Sequence, residues 1–211
     1  PVNMRANFGV YTLALAHTGG AEGRVCAVEP RAQTARYLAR SVAANRFANV
    51  ELIACALSRN DGHGFLDATA GPELKRLVSN AAGTAVEIRS LDRLAVERGI
   101  ERIDFIKIDV EGEEAAVLEG GAAFLAREAP LLMVEFWGDG KFNLDIFEPL
   151  YRTGHACFRL VPGINVLAPF YESEEPDAYQ LNLFACRPPR ARLLADSGNL
   201  IADVAQPTPA F

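Results

Sequence analysis

The chain has 211 residues, is half apolar and carries a formal net charge of -6. That length and apolar content suit one domain with a substantial core. Without a dense Lys/Arg stripe, the acidic balance argues against a general phosphate-backbone binder, and no nucleic-acid partner is expected. The longest apolar runs are strand-length, so neither a membrane span nor a secretory leader is expected.

The chain opens on Pro1, which points to a trimmed or internal start, so only residues 2–4 of a first strand are expected. Residues 3–12 read N-M-R-A-N-F-G-V-Y-T, with small and Gly/Asn residues before an apolar helix over 11–16. Such a turn lets backbone N–H groups approach a ligand at a helix N-terminus, although one glycine also suits an ordinary strand-to-helix turn. Val25 to Val28 form the next strand, closed by Glu29 and by Pro30, which suits the first turn of a helix. The spacing of Ala35, Leu38, Val42 and Ala43 predicts that helix over 31–46. A strand is expected over 50–57, then a polar hairpin or paired edge strands over 62–68 and 85–90, and a short helix over 91–98.

Residues 103–108 are strand, and 113–127 are expected as one helix with Ala116, Leu118, Ala122 and Leu125 toward the sheet. A buried strand over 130–137 and a helix over 146–153, stopped by Gly154, follow. The last two strands are expected over 155–161 and 180–186, with an acidic loop between them. Helices between strands demand crossover connections and a largely parallel sheet, which makes the fold α/β. The domain is assigned to 1–187, and 188–211 is a tail made of a short helix and a loose end.

The chemistry concentrates at 103–112, which reads I-D-F-I-K-I-D-V-E-G. In an open α/β sheet ligands sit beyond the carboxyl ends of the strands, which places Asp109 and Glu111 where cofactor chemistry happens. The same pair also suits a plain strand end and helix cap. About 20 residues beyond Gly9, Glu29 closes its strand where a carboxylate can accept hydrogen bonds from ribose hydroxyls. The G-x-G-x-x-G run of nicotinamide enzymes is absent, which weakens an oxidoreductase reading. Cys26, Cys55, Cys157 and Cys186 sit in apolar windows without a C-x-x-C pair, so buried reduced thiols, no metal site and a cytoplasmic setting are expected. His17, His63 and His155 are scattered and read as structural or solvated.

These residues resemble the FkbM-type S-adenosylmethionine-dependent methyltransferases. The family's opening D-V-G-A-N-x-G-x-Y-T is similar to the front turn, which keeps Ala6, Asn7, Gly9, Tyr11 and Thr12. Its acidic strand end resembles Val28-Glu29-Pro30, its L-D-x-L segment resembles Leu91 to Leu94, and its D-F-I-K-I-D-V-E-G signature is matched by Asp104 to Gly112. The apolar strand closing on Glu135 and an echo at Asn182-Leu183-Phe184 complete the likeness. It implies a three-layer, Rossmann-like (class I methyltransferase-like) fold, with a mostly parallel seven-stranded sheet and helices on both faces.

The resemblance also implies S-adenosyl-L-methionine as cofactor and O-methylation of a small-molecule or glycan hydroxyl. Asn3, Ala6, Asn7 and Gly9 would take the cofactor's amino-acid end, Glu29 its ribose, and the turn at Leu57 its adenine. Asp109 would lie at the methyl-donor end, binding cofactor or orienting the acceptor, while Glu111 and Glu135 would position or deprotonate the acceptor. Trp137, Phe142, Phe147 and Tyr171 could wall its pocket, although such aromatics are more often core. Three positions depart from the family. Its first Asp is Asn3 here, its first Gly is Arg5, and the His that often follows V-E-G is Glu113. Arg in place of that glycine adds bulk and positive charge near a sulfonium. These departures motivate the alternative of a non-catalytic relative that keeps the fold to bind a ligand or partner.

Overall fold

In the computed structural model, residues 2–4, 6–7, 9–67, 77–78, 83–138, 141–177 and 180–201 are described. β1 (Val2–Met4) leads through the front turn into α1 (Val10–Gly19), β2 (Val25–Val28), α2 (Ala32–Ala44) and β3 (Val50–Ile53). Four short strands follow: β4 (Ala56–Leu57), β5 (Gly62–Leu66), β6 (Leu77–Val78) and β7 (Thr84–Arg89). Next come α3 (Leu91–Glu97), β8 (Phe105–Ile108), α4 (Glu114–Gly120), α5 (Ala122–Glu128) and β9 (Leu131–Glu135). The hairpin β10 (Trp137–Gly138) and β11 (Lys141–Phe142), a 3-10 turn (Leu144–Ile146) and α6 (Phe147–Arg152) lead to β12 (Ala156–Val161), β13 (Val166–Pro169), β14 (Asn182–Cys186) and α7 (Pro188–Asp196).

The main sheet runs β13-β12-β14-β9-β8-β1-β2-β3. Its pairings from β9 to β3 are parallel, whereas β14 is antiparallel to both β9 and β12, and β12 to β13. The expected seven-stranded, mostly parallel sheet is therefore an eight-stranded mixed one. The extra strand is β13, which folds back on β12 through a short turn with Gly163 at φ 85° and Asn165 at φ 54°. A tight hairpin adds an antiparallel strand without a crossover helix, so it leaves no helical signal in the sequence. A second sheet, β4-β7-β5-β6, contains the anticipated polar pair, with β5 antiparallel to β7. The strand expected over 50–57 is divided, β3 joining the main sheet and β4 the small one.

Alternate residues along the strands enter different cores, as the two-residue period of a pleated strand requires. Cys26, Val28, Ile106, Ile108, Leu132, Val134, Leu183 and Ala185 join Leu91, Leu94, Leu118, Leu125 and Leu150 in the main core, which puts α3, α4, α5 and α6 on one face. On the other face Ala27 meets Leu38 of α2, while Phe158, Phe184 and Cys186 meet Ala191, Leu194 and Ala195 of α7. The segment set apart as a tail thus begins with a helix whose apolar stripe covers the sheet. Among the described residues, no helix is long and apolar enough to cross a membrane.

The single helix expected over 113–127 is two, broken at Gly120 and Gly121. A Cβ on Gly120 would meet the Ser58 carbonyl oxygen, and one on Gly121 would lie 2.6 Å from Leu91 Cδ2. The start of α5 is capped from another helix: Asp92 of α3 accepts hydrogen bonds from the Ala123 and Phe124 N–H groups at 3.3 and 2.7 Å. These are donors that a helix N-terminus leaves without intrahelical partners.

All four cysteines are buried free thiols. His155 is also buried, with Nδ1 2.9 Å from Thr153 Oγ1. That hydroxyl lies within hydrogen-bond distance of the Pro149 and Leu150 carbonyls, an arrangement that suits donation from Nδ1–H to it. Burial first, and the Arg187 guanidinium second, push the imidazole down to about 4. Between pH 6.5 and 4 the unfolded chain therefore takes up a proton that the folded chain refuses, and stability falls as the pH falls. Urea unfolding is expected to show about 2 kcal/mol lost through this group between pH 7.5 and 5, a loss that His155→Gln removes. An unchanged pH slope in the variant would show that His155 does not carry it.

Candidate functional site

Because β1, β2, β8 and β9 run in the same direction, their carboxyl ends share one rim of the main sheet. At the end of β1 the front turn is fastened to β2, with Ala6 N–H donating to the Val28 carbonyl at 2.8 Å and Gly9 N–H closing the turn on Ala6 at 3.0 Å. Asn7 and Gly9 both lie in the left-handed region, at φ 47° and 102°. Gly9 is doubly required, since a Cβ there would lie 2.5 Å from Leu38 Cδ1. Asn7 N–H donates to Glu29 Oε2 at 3.0 Å and Arg31 N–H to Glu29 Oε1 at 2.9 Å. Glu29, 4% exposed, therefore joins the turn to the start of α2. Asn7 Oδ1 is buried with no hydrogen-bond partner among the described residues. Asn3 lies between Ala27 and Lys107 in the sheet register, while Arg5 lies outside the described residues.

The front of α1 meets the end of β8 through Lys107, whose Nζ is 5.2 Å from the Tyr11 ring centroid and 3.0 Å from Asp109 Oδ2. Burial, and after it the Asp109 charge, raise the Tyr11 hydroxyl above its usual range. The front turn, Glu29 and Asp109 thus converge on one rim.

Beyond Asp109 the chain turns sharply, with Glu111 at φ 55° and Gly112 at φ 97°. The residue that holds this turn is Glu114, which is 2% exposed. Its Oε1 accepts from Val110 N–H at 2.9 Å, its Oε2 from Gly112 N–H at 3.1 Å, and Asn143 Nδ2 donates to the same Oε2 at 2.9 Å. The sequence offers Glu114 only as an acid suited to the first turn of a helix. Its spacing from Gly112 is visible there, but its burial and its link to Asn143 are not. Glu113 accepts from Ser58 Oγ at 2.6 Å, which brings the turn after β4 to the same rim. Leu57, nominated for the adenine, has its side chain in the main core, and its strand β4 is paired with β7.

The three candidate catalytic residues come together. Oxygens of Asp109, Glu111 and Glu135 all lie within 4.8 Å of one another, each side chain half-buried. Hard oxygens so placed suit a divalent cation, and they also suit orienting and deprotonating a hydroxyl. Asn182 lies opposite Glu135 in the sheet register. Of the nominated wall aromatics, Phe147 is core, packed with Phe136 and Phe170. Phe142 and Trp137 pack against each other with ring centroids 4.6 Å apart, and Tyr171 is half-buried.

A family model for the methyltransferase FkbM domain matches residues 3–152. No curated protein matches the chain. Among solved structures, an FkbM methyltransferase from Methylobacillus flagellatus superposes with a TM-score of 0.56 at 18% identity, over 87% of this chain and 42% of that one. The chain therefore spans less than half the length of that relative, with which it shares the fold. A putative rRNA-methylase from Clostridium thermocellum matches with a TM-score of 0.49 at 11% identity, over 88% of this chain and 83% of that one. A SAM-dependent O-methyltransferase from Thermotoga maritima matches with a TM-score of 0.46 at 12% identity, over 88% and 58%.

Proposed function

Because the chain belongs to the FkbM methyltransferase family, we propose that it is an enzyme that transfers a methyl group from S-adenosylmethionine to a hydroxyl of a small molecule or glycan. The observation that carries this reading is the meeting of Asp109, Glu111 and Glu135 on the rim that also bears the front turn and Glu29.

The residues present fit the cofactor. Asn7 offers a buried amide oxygen with no hydrogen-bond partner among the described residues, and Gly9, at φ 102°, allows the tight turn beside it. Asn3, Ala6, Asn7 and Gly9 hold the amino-acid end. Glu29, whose oxygens accept the Asn7 and Arg31 N–H groups, faces the ribose from the end of β2. The Ala56 to Ser58 stretch, with Leu57, passes the adenine. When bound, the cofactor supplies an electrophilic methyl group on a sulfonium.

The remaining work is alignment and proton transfer. One of Glu111 and Glu135 takes the acceptor's hydroxyl proton while the other orients its oxygen, and Asp109 stands at the methyl-donor end. Titration calorimetry should show S-adenosylmethionine binding, weakened about tenfold or more by Asp109→Ala, which corresponds to about 1.4 kcal/mol. Glu111→Gln and Glu135→Gln should keep that affinity. Transfer of labelled methyl to a panel of sugars and small alcohols should fall by about 10²–10⁴ in one or both of them. No heat of binding at millimolar cofactor would overturn the reading.

A further inference from the structure

Lys107 is 1% exposed, although it carries an ammonium group in the middle of a strand. It is not an edge residue, because β8 lies between β1 and β9. Ile106 and Ile108 on either side enter the main core, so Lys107 projects from the opposite face of the sheet, where Tyr11 of α1 lies over it. Its Nζ is 3.0 Å from Asp109 Oδ2 and 3.5 Å from the Ile108 carbonyl oxygen. A cation is withdrawn from water this completely only where a partner compensates it. Here the partner belongs to a group of three carboxylates whose oxygens lie within 4.8 Å. Nothing in the proton-transfer scheme above uses the ammonium.

We propose that Lys107 is a positioning residue that tunes the charge of the rim: by pairing with Asp109 it offsets one negative charge of the three-carboxylate group, and so fixes how strongly the rim prefers a sulfonium cofactor over its neutral thioether product. The inference rests on the reading that this rim holds S-adenosylmethionine. Negative charge that grips a sulfonium tightly in the ground state opposes transfer, because that positive charge is lost as the reaction proceeds. An internal ammonium limits the grip, and its contacts with Tyr11 and Asp109 keep the carboxylate in register with α1.

The test compares the affinities of S-adenosylmethionine and S-adenosylhomocysteine, which differ by one methyl group and one positive charge. Calorimetry is run in the presence of chelator, so that no divalent cation replaces the ammonium. Lys107→Met is expected to raise the ratio of the two affinities, in favour of the cation, by about three- to tenfold. Lys107→Arg restores the ratio. The double variant Lys107→Met/Asp109→Asn, which removes both charges together, also returns it to the wild-type value. It removes both members of the ion pair at once, which keeps the test available should the single variant fail to fold. A merely structural lysine would weaken both ligands by the same factor; an unmoved ratio in Lys107→Met, or a double variant more than threefold from wild type, overturns the proposal. A wild-type protein that binds neither ligand overturns the functional reading itself, and this inference with it.

Discussion

Replacing Glu114 with alanine is expected to destabilise the protein by about 3–5 kcal/mol and to abolish methyl transfer. Glu114 is almost fully buried and gathers the Val110 and Gly112 N–H groups and the Asn143 amide onto one carboxylate. Alanine would leave two backbone donors and one side-chain donor without acceptors, each orphan carrying a penalty of about 1–3 kcal/mol. The turn it holds contains Glu111 at φ 55°, a conformation that a non-glycine residue keeps only when its surroundings enforce it. Release of that turn would swing Glu111 away from Asp109 and Glu135. Glu114→Gln retains one carbonyl acceptor and should lose roughly half as much stability. Urea unfolding at fixed pH measures both. A loss below about 1 kcal/mol in the alanine variant would show that the turn holds without this carboxylate.

The contrast between Glu114 and its neighbours shows what a sequence of this kind discloses. Asp109 and Glu111 are legible because a β-branched run ends on them, and position at a strand end implies a rim in any α/β sheet. Glu29 is legible by the same rule applied to β2. Glu114 does work of equal weight, but through burial and a partner 29 residues away, and no local pattern records either. Lys107 is a similar case. A lysine in mid-strand suggests an edge or an ion pair; the pair with Asp109 is present, and only the sheet order places the residue at the centre.

The misread elements have equally specific causes. Gly120 and Gly121 broke a helix because Ser58 and Leu91 approach there, and both approaches come from elsewhere in the fold. β13 leaves no mark in the sequence because a four-residue strand after a tight turn has neither helical period nor length. The cap that Asp92 gives α5 spans 31 and 32 residues, again beyond any local window. Local periodicity thus set the order of elements and the rim carboxylates, while long-range approach set the breaks and the supports.

Glu29 allows the sharpest separation of scaffold from ligand recognition. Glu29→Gln is expected to weaken S-adenosylmethionine by about 100-fold, or roughly 2.7 kcal/mol. Two effects contribute. One oxygen becomes an NH₂ facing either the Asn7 or the Arg31 N–H, a donor against a donor, and the front turn loosens from β2. The carboxylate that would accept the ribose hydroxyls also loses its charge, and charge-assisted hydrogen bonds are about twice as strong as neutral ones. The two can be told apart by comparing S-adenosylhomocysteine with its 2′-deoxy analogue. In the wild-type protein the missing hydroxyl should cost about tenfold, because a charge-assisted hydrogen bond to the carboxylate is lost. In Glu29→Gln the two ligands should bind within about threefold of each other, since mutation and deletion remove the same interaction and cannot add. If the full discrimination persists in the variant, Glu29 only fastens the turn to β2, and the ribose is recognised by another group on the rim.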